Sequence, residues 1–294
     1  MNSITVQAPA KINVGLDVLE PTDDDYHLIR TVMQAIDLCD LITIKKNSLN
    51  QINLSSSPEI TLDVSQNLAY KAAQLFFKEQ EIEDYGVDIY IEKFIPVGSG
   101  LAGGSTDAAG VLVGLNKLYV AELSVEELCN MALKLGADVP FCVCGGIKLA
   151  DGIGEIFTPL PNLPECYFVI VKPNESVSSK ETFKLCEEME FANRPDIDGL
   201  VAGIFTQNLA EMAQHMKNVF EKVVNIGEIA KIKKQMVESG ALGASMTGSG
   251  SAVFGLFDNK TKARRCARDF EEDYKFVFLS VPIDCGATVV EEEI

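Results

Sequence analysis

The sequence predicts an α+β protein in two units, residues 1–160 and residues 161–294, and three observations lead to that class. Residues 4–18 and 28–44 read as strand, with apolar and polar residues alternating cleanly in the first of them. A glycine-rich loop near residue 100 stands between a strand and a helix. Pro159, Pro161 and Pro164 then interrupt the chain within six residues, and beyond them short strands and helical patterns segregate as in an α+β unit.

The elements follow in order. Ile4, Val6, Ala8, Ala10, Ile12 and Val14 share one parity while Thr5, Gln7, Lys11, Asn13 and Asp17 share the other, and Pro9 predicts a break into two strands. A polar turn over 21–25 leads through Tyr26 and His27 to the second strand region. Leu68, Ala72, Leu75 and Phe76 give residues 66–78 a helical face. Val87, Ile89 and Ile91 alternate with Asp88, Tyr90 and Glu92, a strand with one buried side that ends at Phe94-Ile95-Pro96. Ser105 is the candidate N-cap of the next helix, with Asp107 in its first turn and Ala108, Val111, Leu112 and Leu115 inside it. Ser124 and Glu127 form a capping box for a helix that stops at Gly136. The second unit shows strand patterns over 168–171, 252–257 and 276–281, and helical ones over 179–190, 208–224, 227–239 and 260–270.

A formal charge of −18 narrows the function. Such a surface repels nucleic-acid backbones and acidic lipid headgroups, so neither is expected as a partner. No apolar run approaches the roughly 20 residues of a membrane span, and the opening residues lack the pattern of an export signal; a cytoplasmic location is expected. The eight cysteines include no CxxC pair, and Cys142 and Cys144 have no neighbouring His or Cys to complete a metal set.

The segment Pro96-Val97-Gly98-Ser99-Gly100-Leu101-Ala102-Gly103-Gly104-Ser105-Thr106 places several backbone amides where a helix begins, an arrangement suited to phosphate oxygens. Gly98 to Gly103 also fits the GxGxxG of dinucleotide-binding folds. Against that reading, the preceding strand alternates, Pro96 intervenes, and the following helix leads to another helix instead of a second parallel strand. A merely structural loop is the third possibility. No GxxxxGK[ST] occurs, so a phosphate cradle here relies on backbone and hydroxyl groups, with any lysine supplied from elsewhere.

Four motifs in order carry a resemblance. They are Ala8-Pro9-Ala10-Lys11-Ile12-Asn13 with Asp24-Asp25-Tyr26-His27, the glycine loop through Ala109, Gly136-Ala137-Asp138-Val139-Pro140-Phe141, and Thr247-Gly248-Ser249-Gly250. Together they resemble the GHMP kinase superfamily, nearest its branch that phosphorylates the 2-hydroxyl of a cytidyl-diphosphate-linked methylerythritol on the non-mevalonate route to isoprenoids. Other acceptors of the superfamily, mevalonate, homoserine or a sugar, stand as the alternative, and a nucleotide-binding module without activity as a third reading. The resemblance implies a ribosomal-protein-S5-like α/β first domain, a ferredoxin-like α+β second domain, ATP as co-substrate and Mg2+ carried by it, with Ser105 or Thr106 completing the ion's shell. By the same resemblance Asp138 is the catalytic base and Lys11 its cationic partner. Asn67 and Lys93 lie on the adenine side. Asn13, Tyr26, His27, Phe183, Gly248, Ser249 and Gly250 contact the acceptor, with Tyr26 and Phe183 sandwiching the cytosine ring.

Plainer roles are open to the same residues. Lys11 and Asn13 occupy the polar parity of a strand, which solvent exposure explains equally well. Asp138 suits the N-cap of a helix after Gly136. Tyr26 and Phe183 fit as core aromatics. The sequence also departs from the family pattern at Asp25, Leu28, Thr247 and Ser251, the first two on the acceptor side.

Overall fold

A computed structural model describes residues 2–22, 27–59, 63–83, 85–187 and 193–293. Two long strands, β1 (Ser3–Pro21) and β2 (His27–Lys46), form the antiparallel spine of the first sheet. β1 is one strand, not the two that Pro9 suggested. Its outer neighbour β11 (Thr288–Glu293) pairs only as far as Gln7, so the missing amide of Pro9 has no ladder to interrupt on that side; the register with β2 shifts just after it. Beside β2 lie β4 (Val87–Glu92) and then β3 (Ile52–Ser57), which pairs with β4 in parallel. Farther along β2, β5 (Ile147–Asp151) adds to the sheet and carries β6 (Ile156–Pro159).

Helices α1 (Leu68–Glu79) and α2 (Gly103–Leu118) pack on this sheet through one apolar cluster that includes Ile42, Ile44, Phe76, Val111 and Leu115. α2 approaches β2 closely because Gly110 faces Ile42. A Cβ at residue 110 would stand 2.4 Å from Ile42 Cδ1. α3 (Val125–Leu133) begins with the expected Ser124–Glu127 capping box, and α4 (Val139–Cys144) follows.

The second sheet is antiparallel in the order β10–β7–β9–β8, formed by β7 (Tyr167–Lys172), β8 (Gly243–Met246), β9 (Val253–Phe257) and β10 (Phe276–Ser280). Around it run α5 (Ser179–Glu187), α6 (Ile197–Phe205), α7 (Leu209–His215), α8 (Gly227–Glu238) and α9 (Lys260–Glu271). The single helix anticipated over 208–224 is instead α7 and a 3-10 turn, Val219–Lys222, separated where Met216 turns extended at ψ 94°. β11 also crosses back to the first sheet, so residues 288–293 pair with the N-terminal unit although the sequence grouped them with the C-terminal one. The two sheets share a core: Ala10, Ile12 and Val14 of β1 belong to the same buried cluster as Phe168, Ile170 and Phe254. No described helix is long and apolar enough to cross a membrane.

Candidate active site

A cavity of about 540 Å³ lies where β1 meets the second sheet, and its wall is built from segments far apart in sequence. One side is the glycine loop. Ala102, not Ser105, occupies the N-cap of α2, in the left-handed region at φ 61° and with no side chain closing the helix end. The amides of Gly103, Gly104 and Ser105 thus belong to an uncapped first turn with no intrahelical acceptors, and all three residues border the cavity. Pro96, Val97, Gly98, Ser99, Gly100 and Ala102 complete this wall. Leu101 and Thr106 do not line it. Leu101 is fully buried, and the Thr106 hydroxyl donates to Pro9 O at 2.7 Å, fastening α2 to β1 from behind. Of the two hydroxyls expected near magnesium, Ser105 is therefore the one on the cavity wall. Among the described residues no group of three or more His, Cys, Asp and Glu side chains is arranged to hold a metal.

Lys11 and Asp138 line the same cavity, and Lys11 N donates to Leu101 O of the loop at 3.2 Å. Both faces of β1 are covered here, so Lys11 and Asn13 are 4% and 1% exposed and the solvent-face reading of their parity does not hold. Lys11 Nζ donates to Asn13 Oδ1 at 2.6 Å and lies 3.5 Å from Asp138 Oδ2. Asn13 is anchored in turn by Thr31 Oγ1 at 2.9 Å, and its amide donates to Thr247 Oγ1 at 2.9 Å. Asp138 does sit at the N-cap of α4, yet its carboxylate makes no capping hydrogen bond and is 39% exposed. A carboxylate held beside a buried ammonium and left facing the cavity is placed to accept a proton from a bound hydroxyl group.

The two residues expected on the adenine side, Asn67 and Lys93, behave differently from one another. Asn67 borders the cavity while its Oδ1 caps α1 by accepting from Ala69 N at 2.9 Å. Lys93 also borders it, but its ammonium is spent on two buried carboxylates. It donates to Asp40 Oδ2 and, at 2.6 Å, to Asp107 Oδ2, with Gly103 O at 3.3 Å. Asp40 Oδ1 accepts from the amides of Phe94 and Ile95 at 2.6 and 2.9 Å. Asp107 lies beyond the first turn of α2, contrary to its sequence placement. Burial pushes its carboxyl up to about 7; Lys93 opposes the rise and Asp40 adds to it.

Of the residues expected to contact the acceptor, Gly248, Ser249 and Gly250 lie in the β8–β9 turn and reach the cavity. Asn218 holds this turn by donating to Met246 O and Gly248 O, each at 2.8 Å, and Glu221 Oε1 accepts from Met246 N at 2.7 Å. Phe183 lines the cavity and packs edge-on against Phe220 with centroids 4.8 Å apart, so the core and cavity roles coexist in one ring. His27 is buried and stacks on Phe183 at 5.1 Å; it supports that ring and does not itself line the cavity. Tyr26 falls outside the described residues, as do Asp24 and Asp25. The sequence reading missed Asp40, Asn218 and Glu221. It also missed Lys172, a buried ammonium that binds Pro173 O, Glu175 O and Ser176 Oγ and so folds the segment beside Gly98.

An uncapped helix start and a paired lysine and aspartate on the wall of one cavity are an arrangement suited to phosphoryl transfer to a hydroxyl group. Family profiles agree: GHMP kinases N terminal domain matches residues 67–146 and GHMP kinases C terminal matches residues 200–275. The chain belongs to the GHMP kinase family. Among its relatives, the 4-diphosphocytidyl-2-C-methyl-D-erythritol kinase of Clostridium novyi (strain NT) is 41% identical over 93% of this chain and 98% of its own length. The protein of the same name from Clostridium perfringens (strain 13 / Type A) is 43% identical over 92% of this chain and 94% of its own. A crystal structure of 4-(cytidine 5'-diphospho)-2C-methyl-D-erythritol kinase superposes with a TM-score of 0.80 at 31% identity, covering 95% of this chain and 99% of that one. The homoserine kinase of Cytophaga hutchinsonii reaches 0.82 at 22% identity over 99% and 98% of the two chains, a likeness of fold.

Proposed function

We propose that this kinase transfers the γ-phosphate of ATP to the 2-hydroxyl of 4-diphosphocytidyl-2-C-methyl-D-erythritol. The observation that carries the reading is the Lys11–Asp138 pair sharing a cavity with the uncapped start of α2, in a chain 43% identical over 92% of its length to a relative bearing that kinase's name.

The uncapped amides of the glycine loop and α2 hold the phosphates and direct the γ-phosphorus across the cavity. Asp138 accepts the proton of the acceptor hydroxyl as the oxygen attacks, while Lys11 Nζ stabilises negative charge on the transferring group. Asn13 orients Lys11 through its 2.6 Å hydrogen bond. Phe183 offers a face to the pyrimidine ring of the acceptor, and His27 behind it fixes that face. Magnesium carried by ATP would supply charge neutralisation at the phosphates, and Ser105, which borders the cavity, is the residue whose hydroxyl would hold it there. The setting of such a reaction is the cytoplasm.

Purified protein assayed for ADP release against the cytidyl-diphosphate compound, mevalonate, homoserine and a sugar tests the assignment. Turnover is expected with the first alone. Turnover on another alcohol, with none on the first, moves the acceptor elsewhere in the family.

A further inference from the structure

We propose that a second cavity, behind the β8–β9 turn, binds a small diphosphate anion and through that turn tightens the hold on the acceptor. The cavity measures about 670 Å³, within the range of small-molecule sites, and lies between the segment entering α6, the 3-10 turn Val219–Lys222 and α8. Arg194, Lys217, Lys222 and Lys233 stand on its wall, and of the described residues there only Glu221 is acidic. In a chain of formal charge −18, four cations gathered on one concavity reverse the local sign and focus potential for an anion.

The four cations are not equivalent. Arg194 is committed to Asp17, by hydrogen bonds of 2.9 and 3.1 Å, and to Val18 O, while Lys233 is paired with Glu221. Lys217 and Lys222 are exposed and have no ion-pair partner among the described residues. They can therefore take an anion without breaking a native pair. Two such ammonium groups suit the two phosphoryl groups of one diphosphate, each through a charge-assisted hydrogen bond. Val219 and Pro195 add apolar wall for the organic part of an ester.

The 3-10 turn is a partition between this cavity and the candidate active site. Phe220 borders the active-site cavity, whereas Val219, Glu221 and Lys222 border the second. Asn218, only 4% exposed, donates to Met246 O and Gly248 O, and Glu221 Oε1 accepts from Met246 N. Lys217 O accepts from the amide of Leu16, itself on the active-site wall. Ties to that wall thus start from three residues lining the second cavity. Lys217 and Lys222 bring like charges to one short stretch of chain; an anion bound by both removes the repulsion and favours the conformation in which those ties are made. Linkage then makes acceptor and diphosphate each bind more tightly in the presence of the other. The coupling rests on the acceptor reading given above; the binding site does not.

Pyrophosphate, titrated calorimetrically into the chain saturated with a non-hydrolysable ATP analogue in excess magnesium, reads the second site with the phosphate loop already filled. One saturable site per chain is expected, with inorganic phosphate weaker and an alkyl diphosphate tighter; pyrophosphate binding the tighter of the two diphosphates assigns the site to the free ion. The double variant Lys217→Gln, Lys222→Gln is expected to weaken binding by about tenfold or more, the loss of charge-assisted contacts, while Lys78→Gln with Lys262→Gln, which line neither cavity, leaves it unchanged. No binding, or binding equally strong in the first double variant, overturns the proposal. In steady-state kinetics the diphosphate is expected to lower KM for the acceptor about threefold or more in the wild-type chain, with kcat little changed, and to have no such effect in that variant. Binding with acceptor KM unmoved overturns the coupling. A chain that binds the diphosphate yet turns over no cytidyl acceptor removes the acceptor reading and leaves the site standing, because the calorimetry uses no acceptor.

Discussion

Lys11 and Asp138 meet across 3.5 Å with the aspartate 39% exposed, whereas Lys93 lies between Asp40 and Asp107 with all three side chains closed off from solvent. Both clusters border one cavity. The first leaves a carboxylate oxygen toward the space where a substrate would sit, and the second spends its lysine on holding backbone and helix together. A lysine beside an aspartate is thus no signature of chemistry by itself; what separates the two cases is whether the carboxylate retains an open side.

The comparison breaks if Asp138→Asn fails to act on rate. Turnover is expected to fall by about 10²- to 10⁴-fold with nucleotide affinity and melting temperature nearly unchanged, and steady-state kinetics beside calorimetry checks it. Lys93→Met should do the reverse, costing about 3–5 kcal/mol of stability because two buried carboxyl groups lose their cation; denaturant unfolding reads this, and a loss below about 1 kcal/mol would count the triad as ordinary surface pairing. Gly100→Ala tests the seam between the two glycine-rich segments. At φ +78°, with a Cβ only 2.1 Å from Thr247 O, it is expected to lose about 1–3 kcal/mol and to raise KM for both substrates. The smallest effect belongs to Phe183→Leu, which keeps the core contact and removes the ring: KM for a cytidyl acceptor should rise by a factor equivalent to about 0.5–1.5 kcal/mol, with KM for ATP unmoved.

Much of this site was legible because its chemistry is concentrated in short segments. Lys11 and Asn13 sit two residues apart, the glycine loop is continuous, and Asp138 is flanked by a helix stop and a proline. What stayed hidden was built from distance. Asp40, Lys93 and Asp107 are separated by 53 and 14 residues and converge only when β2, the end of β4 and α2 pack together. Asn218 was masked by an apolar helical pattern over 208–224, because the signal that the helix breaks is the tertiary demand of the β8–β9 turn for a donor. Ser105 is a strong N-cap residue by propensity, but the left-handed Ala102 starts the helix three residues earlier and leaves its amides bare. α6 went unseen for a similar reason: Gly199 and Gly203 lower helix propensity, while Gly203 is what lets α6 touch the backbone of α7. Pro9 argued against a continuous strand, and a partner strand that ends early removed the objection.

The two glycine-rich segments are sewn to each other: Ala252 N donates to Ser99 O at 3.0 Å, Thr247 Oγ1 donates to Gly100 O at 3.3 Å, and no room remains between them. Chimaeras made by recombining members of this family inherit that seam from different parents whenever the crossover falls between residues 100 and 247. Libraries aimed at new alcohols should therefore draw both stitches from one ancestor, and the breakpoints that spare them lie before residue 99 or after residue 252.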